Sequence, residues 1–260
     1  MFDRPIDLAQ ARILVSNDDG INAPGLKLLA RIARSLCPDV WIVAPEQEQS
    51  GASHSLTISR PLRLRRLAPR LFAVDGTPTD CVLLAAKTLL RDKPPNLVLS
   101  GINAGANLGE DVSYSGTVAA AMEGVLLGVP AIAFSQHFDS GRPIPWATAS
   151  AFAGEVIRRL TAQPWPAHTL INVNFPATTP EAVTGIAATH QGRRKIGDGV
   201  VERIDPRGRP YYWIGPLRDE APDRPGTDLQ AITENKVSLT PIMLDFTHTA
   251  ALTALRKLFP

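Results

Sequence analysis

Short apolar runs alternate with helix-forming segments through the first half of the chain. RILVS, DVWIVAP, NLVLSG and PAIAFS have the composition of strands buried on both faces of a sheet. Between the first two runs, Leu26, Leu29 and Ile32 recur at helical spacing, and Pro38 ends that helix. Strands and helices in this order require right-handed crossovers. The sequence therefore predicts an α/β fold whose mostly parallel sheet is covered by helices on both faces.

Composition narrows the class of protein further. With 260 residues, 44% hydrophobic and 20% charged positions, the chain is typical of a globular protein with one main domain. The 27 Lys and Arg residues against 25 Asp and Glu residues leave a net charge of +2. So small a charge argues against a nucleic-acid polymer as the main partner.

We expect no membrane partner and a cytoplasmic location. The first twenty residues carry scattered charges and no continuous apolar segment of the kind that a secretory signal needs. The longest apolar stretch, around 118–134, is interrupted by Glu123, Gly128 and Pro130, and it is shorter than a membrane-spanning helix requires.

The character of the sequence changes after about residue 185. Gly, Pro, Arg and Asp become frequent, and RPYYWIG is the clearest strand-like piece, which indicates a β-hairpin appendage or oligomerisation arm. We divide the chain into a catalytic core over 1–184, an extended β arm over 185–245 and a C-terminal helix over 246–260. The aromatic side chains of the arm need burial, and this predicts self-association.

The loop after the first strand carries two adjacent carboxylates, Asp18 and Asp19, in the motif NDDG. Adjacent carboxylates at the end of a strand repel each other unless a cation or a proton neutralises them. A turn or a helix cap would also explain an isolated NDDG, because Asp and Gly are common turn residues.

The loops after the next two strands favour the metal interpretation. The first offers Ser50 and His54, and the second offers the amides of Asn103 and Asn107. Ligands of open parallel sheets bind outside the carboxyl ends of the strands, and oxygen donors of this kind suit Mg²⁺ or Mn²⁺. For His54, a role near the substrate and an ordinary surface position are equally compatible with the sequence.

The segment SYSGT precedes an Ala-rich helix. Ser115, Gly116 and Thr117 would present free backbone N–H groups and the positive end of the helix dipole to a phosphate group. A plain N-cap at Ser115 is the alternative. The chain has no GxGxxG after the first strand, no GxxxxGK[ST] and no GxSxG, which argues against dinucleotide-binding, P-loop and α/β-hydrolase sites.

Longer motifs support an assignment to a family. The stretches ILVSNDDGINAPGL, VAPEQEQSGASHSLT, DGTPTDCV and LVLSGINAGANLGEDVSYSGTVAAAMEG resemble the SurE family of metal-dependent 5′-nucleotidases. The likeness continues through DPRGRPYYWIG, PGTDLQAI and VSLTPIMLDFT, so that it covers nearly the whole chain after about residue 11.

This resemblance implies a Rossmann-like core and a C-terminal arm that exchanges between the subunits of a homodimer or homotetramer. It also implies hydrolysis of nucleoside monophosphates with Mg²⁺ or Mn²⁺. The metal ligands of the family correspond to Asp18, Asp19, Ser50 and Asn103. At Gln230 some members of the family have His, so this chain lacks that histidine.

The mechanism that we expect is attack of a water molecule on phosphorus beside the bound cation. Ser115, Gly116 and Thr117, together with Asn107, would stabilise the charge on the phosphoryl group, and Asp19 would accept the proton of the water. An aspartate nucleophile that forms a phospho-aspartate is the rival chemistry.

Two other classes of function are alternatives to the nucleotidase. A haloacid-dehalogenase-type phosphatase would need DxD after the first strand, whereas this chain has adjacent aspartates. A non-catalytic module that senses nucleotides or phosphate could use the same loops without turnover.

Overall fold

A nine-stranded sheet forms the centre of the molecule. The computed structural model describes residues 5–196, 199–214, 218–220 and 224–259. Its strands are β1 (Arg12–Ser16), β2 (Asp39–Pro45), β3 (Leu64–Ala68), β4 (Leu71–Val74), β5 (Leu97–Ala104), β6 (Ala131–Gln136), β7 (Thr169–Phe175), β8 (Gly185–Ala188), β9 (Arg194–Ile196), β10 (Val200–Ile204), β11 (Pro210–Ile214), β12 (Arg218–Glu220) and β13 (Lys236–Met243). Its α-helices are α1 (Pro24–Leu36), α2 (Pro78–Leu84), α3 (Gly116–Leu126), α4 (Trp146–Thr161), α5 (Asp228–Thr233) and α6 (Thr249–Leu258).

The strand order of the central sheet is β3-β4-β2-β1-β5-β6-β7-β13-β8. From β4 to β7 all neighbours are parallel, whereas β3 pairs antiparallel with β4 and β13 pairs antiparallel with β7. The mostly parallel sheet confirms the predicted α/β fold class. Because β1 lies between β2 and β5, the loops that follow these three strands leave the sheet side by side.

Two apolar cores cover the two faces of the sheet. Ile13 and Val15 of β1 belong to the core that α1 and α4 complete, and Leu14 belongs to the core beneath α2 and α3. This alternation follows from the pleat of the strand, which points successive side chains to opposite faces. Helices therefore lie on both faces, as the sequence predicts.

Helix α2 begins at Pro78, and Thr77 is its N-cap, whose hydroxyl accepts the N–H of Asp80 at 3.1 Å. Pro78 occupies the first helical position, where its missing N–H costs nothing. Asp80 closes a capping box by accepting the N–H of Thr77 at 2.8 Å.

Part of the predicted arm is integrated into the central sheet. β8 and β13 lie within 185–245 and pair with each other in parallel, and Val237 of β13 is fully buried. β10 and β11 form an antiparallel pair apart from this sheet, and Trp213 is 64% exposed within the single chain. Residues 197–198, 215–217 and 221–223 of the predicted arm, and Pro260 of the predicted tail helix, lie outside the described residues. The functional division into core, arm and tail stays a prediction.

Across the described ranges, the helices are too short or too polar for any of them to cross a lipid bilayer.

Candidate metal and phosphate site

The NDDG turn leaves β1 at the carboxyl edge of the sheet. The side-chain amide of Asn17 donates to the carbonyl oxygen of Gly20 at 3.0 Å, and Gly20 has a φ of +93°, a conformation that favours glycine. The backbone N–H of Gln49 donates to the carbonyl oxygen of Asp18 at 2.8 Å. The loop after β2 is therefore held against the turn, as expected from the order of the strands.

Asp18 is buried against the first turn of α3. The hydroxyl of Thr117 donates a hydrogen bond to Oδ1 of Asp18. Burial raises the pKa of Asp18 above its ordinary value, and the hydrogen bond from Thr117 acts in the opposite direction. A nearby positive charge would stabilise the ionised form of a carboxyl group buried in this position.

Asp19 reaches toward the loop after β5. Its Oδ2 accepts the backbone N–H of Ala104 at 3.1 Å. Burial, followed by the negative charge of Asp18, raises the pKa of Asp19 from 3.8 to about 6. The two adjacent carboxyl groups thus resist simultaneous ionisation, which is the electrostatic environment that a cation would relieve.

Ser50 lies in the loop after β2 and donates its hydroxyl hydrogen to Oε1 of Glu48 at 2.8 Å. The negative charge of Glu48 also raises the pKa of Asp18 and Asp19. Glu48 was not among the predicted site residues, and its only sequence signal is its position in the same loop as Ser50.

The two predicted asparagines have different surroundings. The side-chain amide of Asn103 donates to the carbonyl oxygen of Gly105 at 2.9 Å, so its Oδ1 is the atom that could coordinate a cation. Asn107 is buried, and its side-chain amide donates to the hydroxyl of Ser135 at 2.7 Å. Its backbone N–H donates to Oδ1 of Asn174 at 2.8 Å, and these bonds join Asn107 to β6 and β7.

Ser115 is the N-cap of α3, as one interpretation of its sequence position predicted. Its hydroxyl oxygen accepts the N–H of Val118 at 3.1 Å, and its own N–H donates to the carbonyl oxygen of Asp111 at 3.0 Å. The N–H groups of Gly116 and Thr117 stand in the first turn, where no earlier helical carbonyl can accept them. Since the Thr117 hydroxyl is engaged by Asp18, its N–H is the group suited to a phosphate.

The donor set fits a hard divalent cation. The described part of the chain holds no cluster of three or more His, Cys, Asp or Glu residues that could bind a metal. The predicted set instead combines two carboxylates, a hydroxyl and an amide, which are oxygen donors of the kind that Mg²⁺ and Mn²⁺ accept. Oδ1 of Asn17 is buried beside this turn without a hydrogen-bond partner among the residues described.

Two residues that the sequence singled out, His54 and Gln230, lie outside this donor set. Nε2 of His54 lies 3.0 Å from Oε2 of Glu123, whose side chain is buried, so His54 is held against α3. Glu123 was missed by the sequence analysis, because a single Glu in an Ala-rich helix carries no local signal. Gln230 lies on α5, where its Oε1 accepts the N–H of Gly226 at 2.7 Å and its amide donates to Glu234 at 2.9 Å.

This chain resembles known proteins over most of its length. A family model described as survival protein SurE matches residues 13–198. The chain is 58% identical over 258 residues to a 5′-nucleotidase SurE of Paramagnetospirillum magneticum, with 99% of each chain covered. It is 55% identical over 262 residues to a 5′-nucleotidase SurE of Rhodospirillum rubrum, with 100% of each chain covered.

A solved structure agrees with these relatives. The crystal structure of the SurE protein from Aquifex aeolicus superposes with a TM-score of 0.84 and 40% sequence identity, and the match covers 96% of this chain and 100% of that one. The matches to a family model, to full-length relatives and to a solved structure show that this chain belongs to the SurE family.

Proposed function

We propose that this chain is a metal-dependent phosphomonoesterase that hydrolyses nucleoside 5′-monophosphates to nucleoside and phosphate. 3′-Monophosphates and short polyphosphate are further candidate substrates. The hydrogen bond from Thr117 to Asp18 is the observation that supports the proposal, because it joins the proposed metal ligand to the start of the helix that we propose for phosphate binding. The relatives named 5′-nucleotidase SurE support the same activity.

The cation would be Mg²⁺ or Mn²⁺, held by Asp18, Asp19, Ser50 and Asn103. The Ser50 hydroxyl donates its hydrogen to Glu48, so the lone pairs of its oxygen remain for the metal. When bound, the cation would neutralise phosphoryl charge and lower the pKa of a water molecule.

The start of α3 would bind the phosphoryl group. The N–H groups of Gly116 and Thr117 and the positive end of the helix dipole favour an anion at this position. The Ser115 hydroxyl accepts a hydrogen bond from Val118 and keeps its own hydrogen for a phosphate oxygen. Asn107, which is hydrogen-bonded to β6 and β7, is the last residue of the proposed phosphate-binding set. These donors are fixed before the substrate binds, so they stabilise the transition state without reorganisation.

Asp19 would accept the proton of the attacking water. A bond forms between the water oxygen and phosphorus, the bond from phosphorus to the nucleoside oxygen breaks, and that oxygen is protonated from solvent. A phospho-aspartate on Asp18 or Asp19 is the rival intermediate. Hydroxylamine added during turnover separates the two, because an adduct on either aspartate would contradict the water mechanism.

We also propose a homodimer or homotetramer in the cytoplasm. The hairpin of β10 and β11 carries exposed apolar side chains, with Ile204 70% and Ile214 76% exposed in the single chain. An exposed apolar patch of this kind is typical of an interface between proteins.

Phosphate release from a panel of nucleoside 5′- and 3′-monophosphates tests the proposed function. We expect release with Mg²⁺ or Mn²⁺, no release with EDTA, and a loss of at least a hundredfold for Asp18→Asn. Asp92→Asn, at an exposed position away from the site, is the matched control and should keep full activity. Ligand-dependent stabilisation without release from any ester would contradict the enzyme and favour the sensing module.

A further inference from the structure

The loop after β2 carries a third carboxylate beside the candidate metal site. Glu48 is exposed and lies two positions before Ser50, and its Oε1 accepts the hydroxyl hydrogen of Ser50 at 2.8 Å. Burial and, in smaller part, the negative charge of Glu48 raise the pKa of Asp18 and of Asp19. Glu48 therefore contacts one proposed metal ligand directly and acts electrostatically on two others.

Two contacts fix the backbone of Glu48 relative to the NDDG turn. On one side, the N–H of Gln49 donates to the carbonyl oxygen of Asp18 at 2.8 Å. On the other side, a Cβ atom on Gly20 would lie 3.4 Å from the backbone nitrogen of Glu48 and 3.2 Å from the carbonyl carbon of Gln47. The loop and the turn are therefore packed backbone against backbone, and the side chain of Glu48 starts from a fixed position.

The hydrogen bond to Glu48 determines how the Ser50 hydroxyl can serve a cation. A hydroxyl group has one hydrogen and two lone pairs, and the hydrogen rotates about the C–O bond. An acceptor that holds this hydrogen orients the lone pairs before a cation binds and increases the negative charge on the oxygen. The carboxylate of Glu48 supplies this acceptor.

Direct coordination by Glu48 is the alternative role. In the part of the chain that the structure describes, no three Asp, Glu, His or Cys side chains come together as a candidate metal-binding group. The carboxylate of Glu48 thus does not form one ligand cluster with those of Asp18 and Asp19. Its printed contact is with the Ser50 hydroxyl, which favours a role through Ser50.

We propose that Glu48 is a positioning residue of the metal site, which holds the Ser50 hydroxyl in the orientation that a cation needs. The inference rests on the proposed function, because it uses the ligand set stated there. Removal of a group that hydrogen-bonds to a metal ligand typically weakens metal binding by about 10–100-fold. Because Glu48 is exposed, we expect an effect at the lower end of that range.

The affinity for Mn²⁺ tests this role without turnover. Calorimetry on the full-length, metal-free protein at pH 7 in 0.15 M KCl should show a loss of about tenfold for Glu48→Ala. Glu48→Gln keeps an oxygen that accepts the same hydrogen bond and loses only a screened charge, so it should stay within about threefold of the parent.

Glu46→Ala is the matched control. Glu46 lies in the same loop, but its Oε1 pairs with Nε of Arg65 at 2.8 Å and not with a proposed metal ligand. This variant should keep the Mn²⁺ affinity of the parent. Circular dichroism of the metal-free variants checks that they fold as the parent does.

A double-mutant cycle separates positioning from direct coordination. Ser50→Ala removes both the proposed ligand and the hydrogen-bond donor. If Glu48 acts through Ser50, then Glu48→Ala in the Ser50→Ala background should weaken Mn²⁺ binding only by the effect of its charge, about threefold. A direct ligand would cause the full tenfold loss in either background.

Three results would overturn the inference. The first is an equal loss of affinity in Glu48→Gln and Glu48→Ala, which would assign the effect to charge. The second is the full loss from Glu48→Ala in the Ser50→Ala background. The third is an unchanged Mn²⁺ affinity in Ser50→Ala, because there would then be no ligand to position.

Phosphate release from nucleoside monophosphates, measured in parallel, distinguishes this inference from the proposed function. Metal-dependent release without the expected order of Mn²⁺ affinities would overturn the role of Glu48 alone. The expected order of affinities without release from any ester would overturn the proposed function and leave the role of Glu48 in place.

Discussion

Gly116 lies so close to Asp18 that a methyl group has no room between them. A Cβ atom on Gly116 would lie 2.7 Å from Cβ of Asp18 and 3.0 Å from its Oδ2. The first helical residue of the candidate phosphate site and the candidate metal ligand are therefore in direct van der Waals contact. Added volume at Gly116 must therefore displace Asp18 or the start of α3.

Gly116→Ala should lower kcat/KM by at least a hundredfold. The added methyl group must push Asp18 or the start of α3 aside, and overpacking of this kind typically costs about 1–3 kcal/mol of unfolding free energy. Steady-state kinetics and a urea titration measure the two effects. Full activity with unchanged stability would contradict the contact.

Gly154→Ala is the matched control for that substitution. Gly154 lies inside α4, and the nearest atoms to a Cβ there are 3.7 Å away. Ala in a helix interior is more favourable than Gly by about 0.5–1 kcal/mol, so this variant should be as stable as the parent or more stable, with unchanged kinetics.

Thr117→Val should weaken metal binding, whereas Thr117→Ser should not. The valine variant keeps the shape of the side chain but removes the hydrogen bond to Asp18, which favours the ionised carboxylate. A hydrogen bond to a charged group contributes about 1.5–3 kcal/mol, so we expect a loss of tenfold or more in Mn²⁺ affinity at pH 7. Calorimetry checks this, and equal affinity in both variants would contradict the role of the hydroxyl.

The local parts of this site could be predicted from the sequence. The loops after β1, β2 and β5 had to meet, because parallel strands end at the same edge of a sheet. The cap at Ser115 follows from the Ser-Gly-Thr start of α3. The first inference needs the order of strands and helices, together with the rule that fixes the handedness of crossovers, and the second needs only the residues of one helical turn.

The tertiary contacts could not be predicted in this way. Thr117 and Asp18 are 99 positions apart, and His54 and Glu123 are 69 apart. Neither contact can be recognised from the sequence, because that would require knowing which helix packs over which strand. The insertion of β13 between β7 and β8 is equally non-local, because any apolar strand of that length could have joined the sheet.

The metal-free protein should lose stability as the pH rises from about 4 through 6. The pKa of Asp19 is raised from its ordinary value of 3.8 to about 6, and that of Asp18 is raised as well. The folded state therefore holds protons that the unfolded chain has released. The stability that these protons contribute is fully present below about pH 4 and is lost above about pH 6.

Melting temperatures across this pH range in EDTA measure the effect. Asp19→Asn should flatten the profile, because the amide does not titrate. Saturating Mn²⁺ should reverse the slope, since the cation binds the ionised carboxylates. A metal-free profile that rises with pH between 4 and 6 would contradict the raised pKa values.

Arg194→Met should destabilise the fold by about 3–5 kcal/mol, as expected when one partner of a buried ion pair is removed. The guanidinium of Arg194 pairs with the carboxylate of Asp111, and both side chains are 3% exposed. Arg159→Met is the control, because its pair with Glu155 is exposed and should contribute less than about 1 kcal/mol. Urea unfolding distinguishes the two, and similar losses in both variants would contradict a buried pair.

Substitution of Trp213 and Ile214 by Lys should shift the protein toward the monomer. These side chains of β11 are 64% and 76% exposed in the single chain, and apolar surface of this extent is stabilised when a second subunit covers it. Two lysines at the same positions would place charges in that interface, where desolvation opposes association. Size-exclusion chromatography with light scattering at micromolar concentration gives the mass directly. Leu126→Lys changes an exposed leucine on α3 and should leave the mass unchanged, whereas an unchanged mass in the hairpin variant would show that subunits associate through another surface.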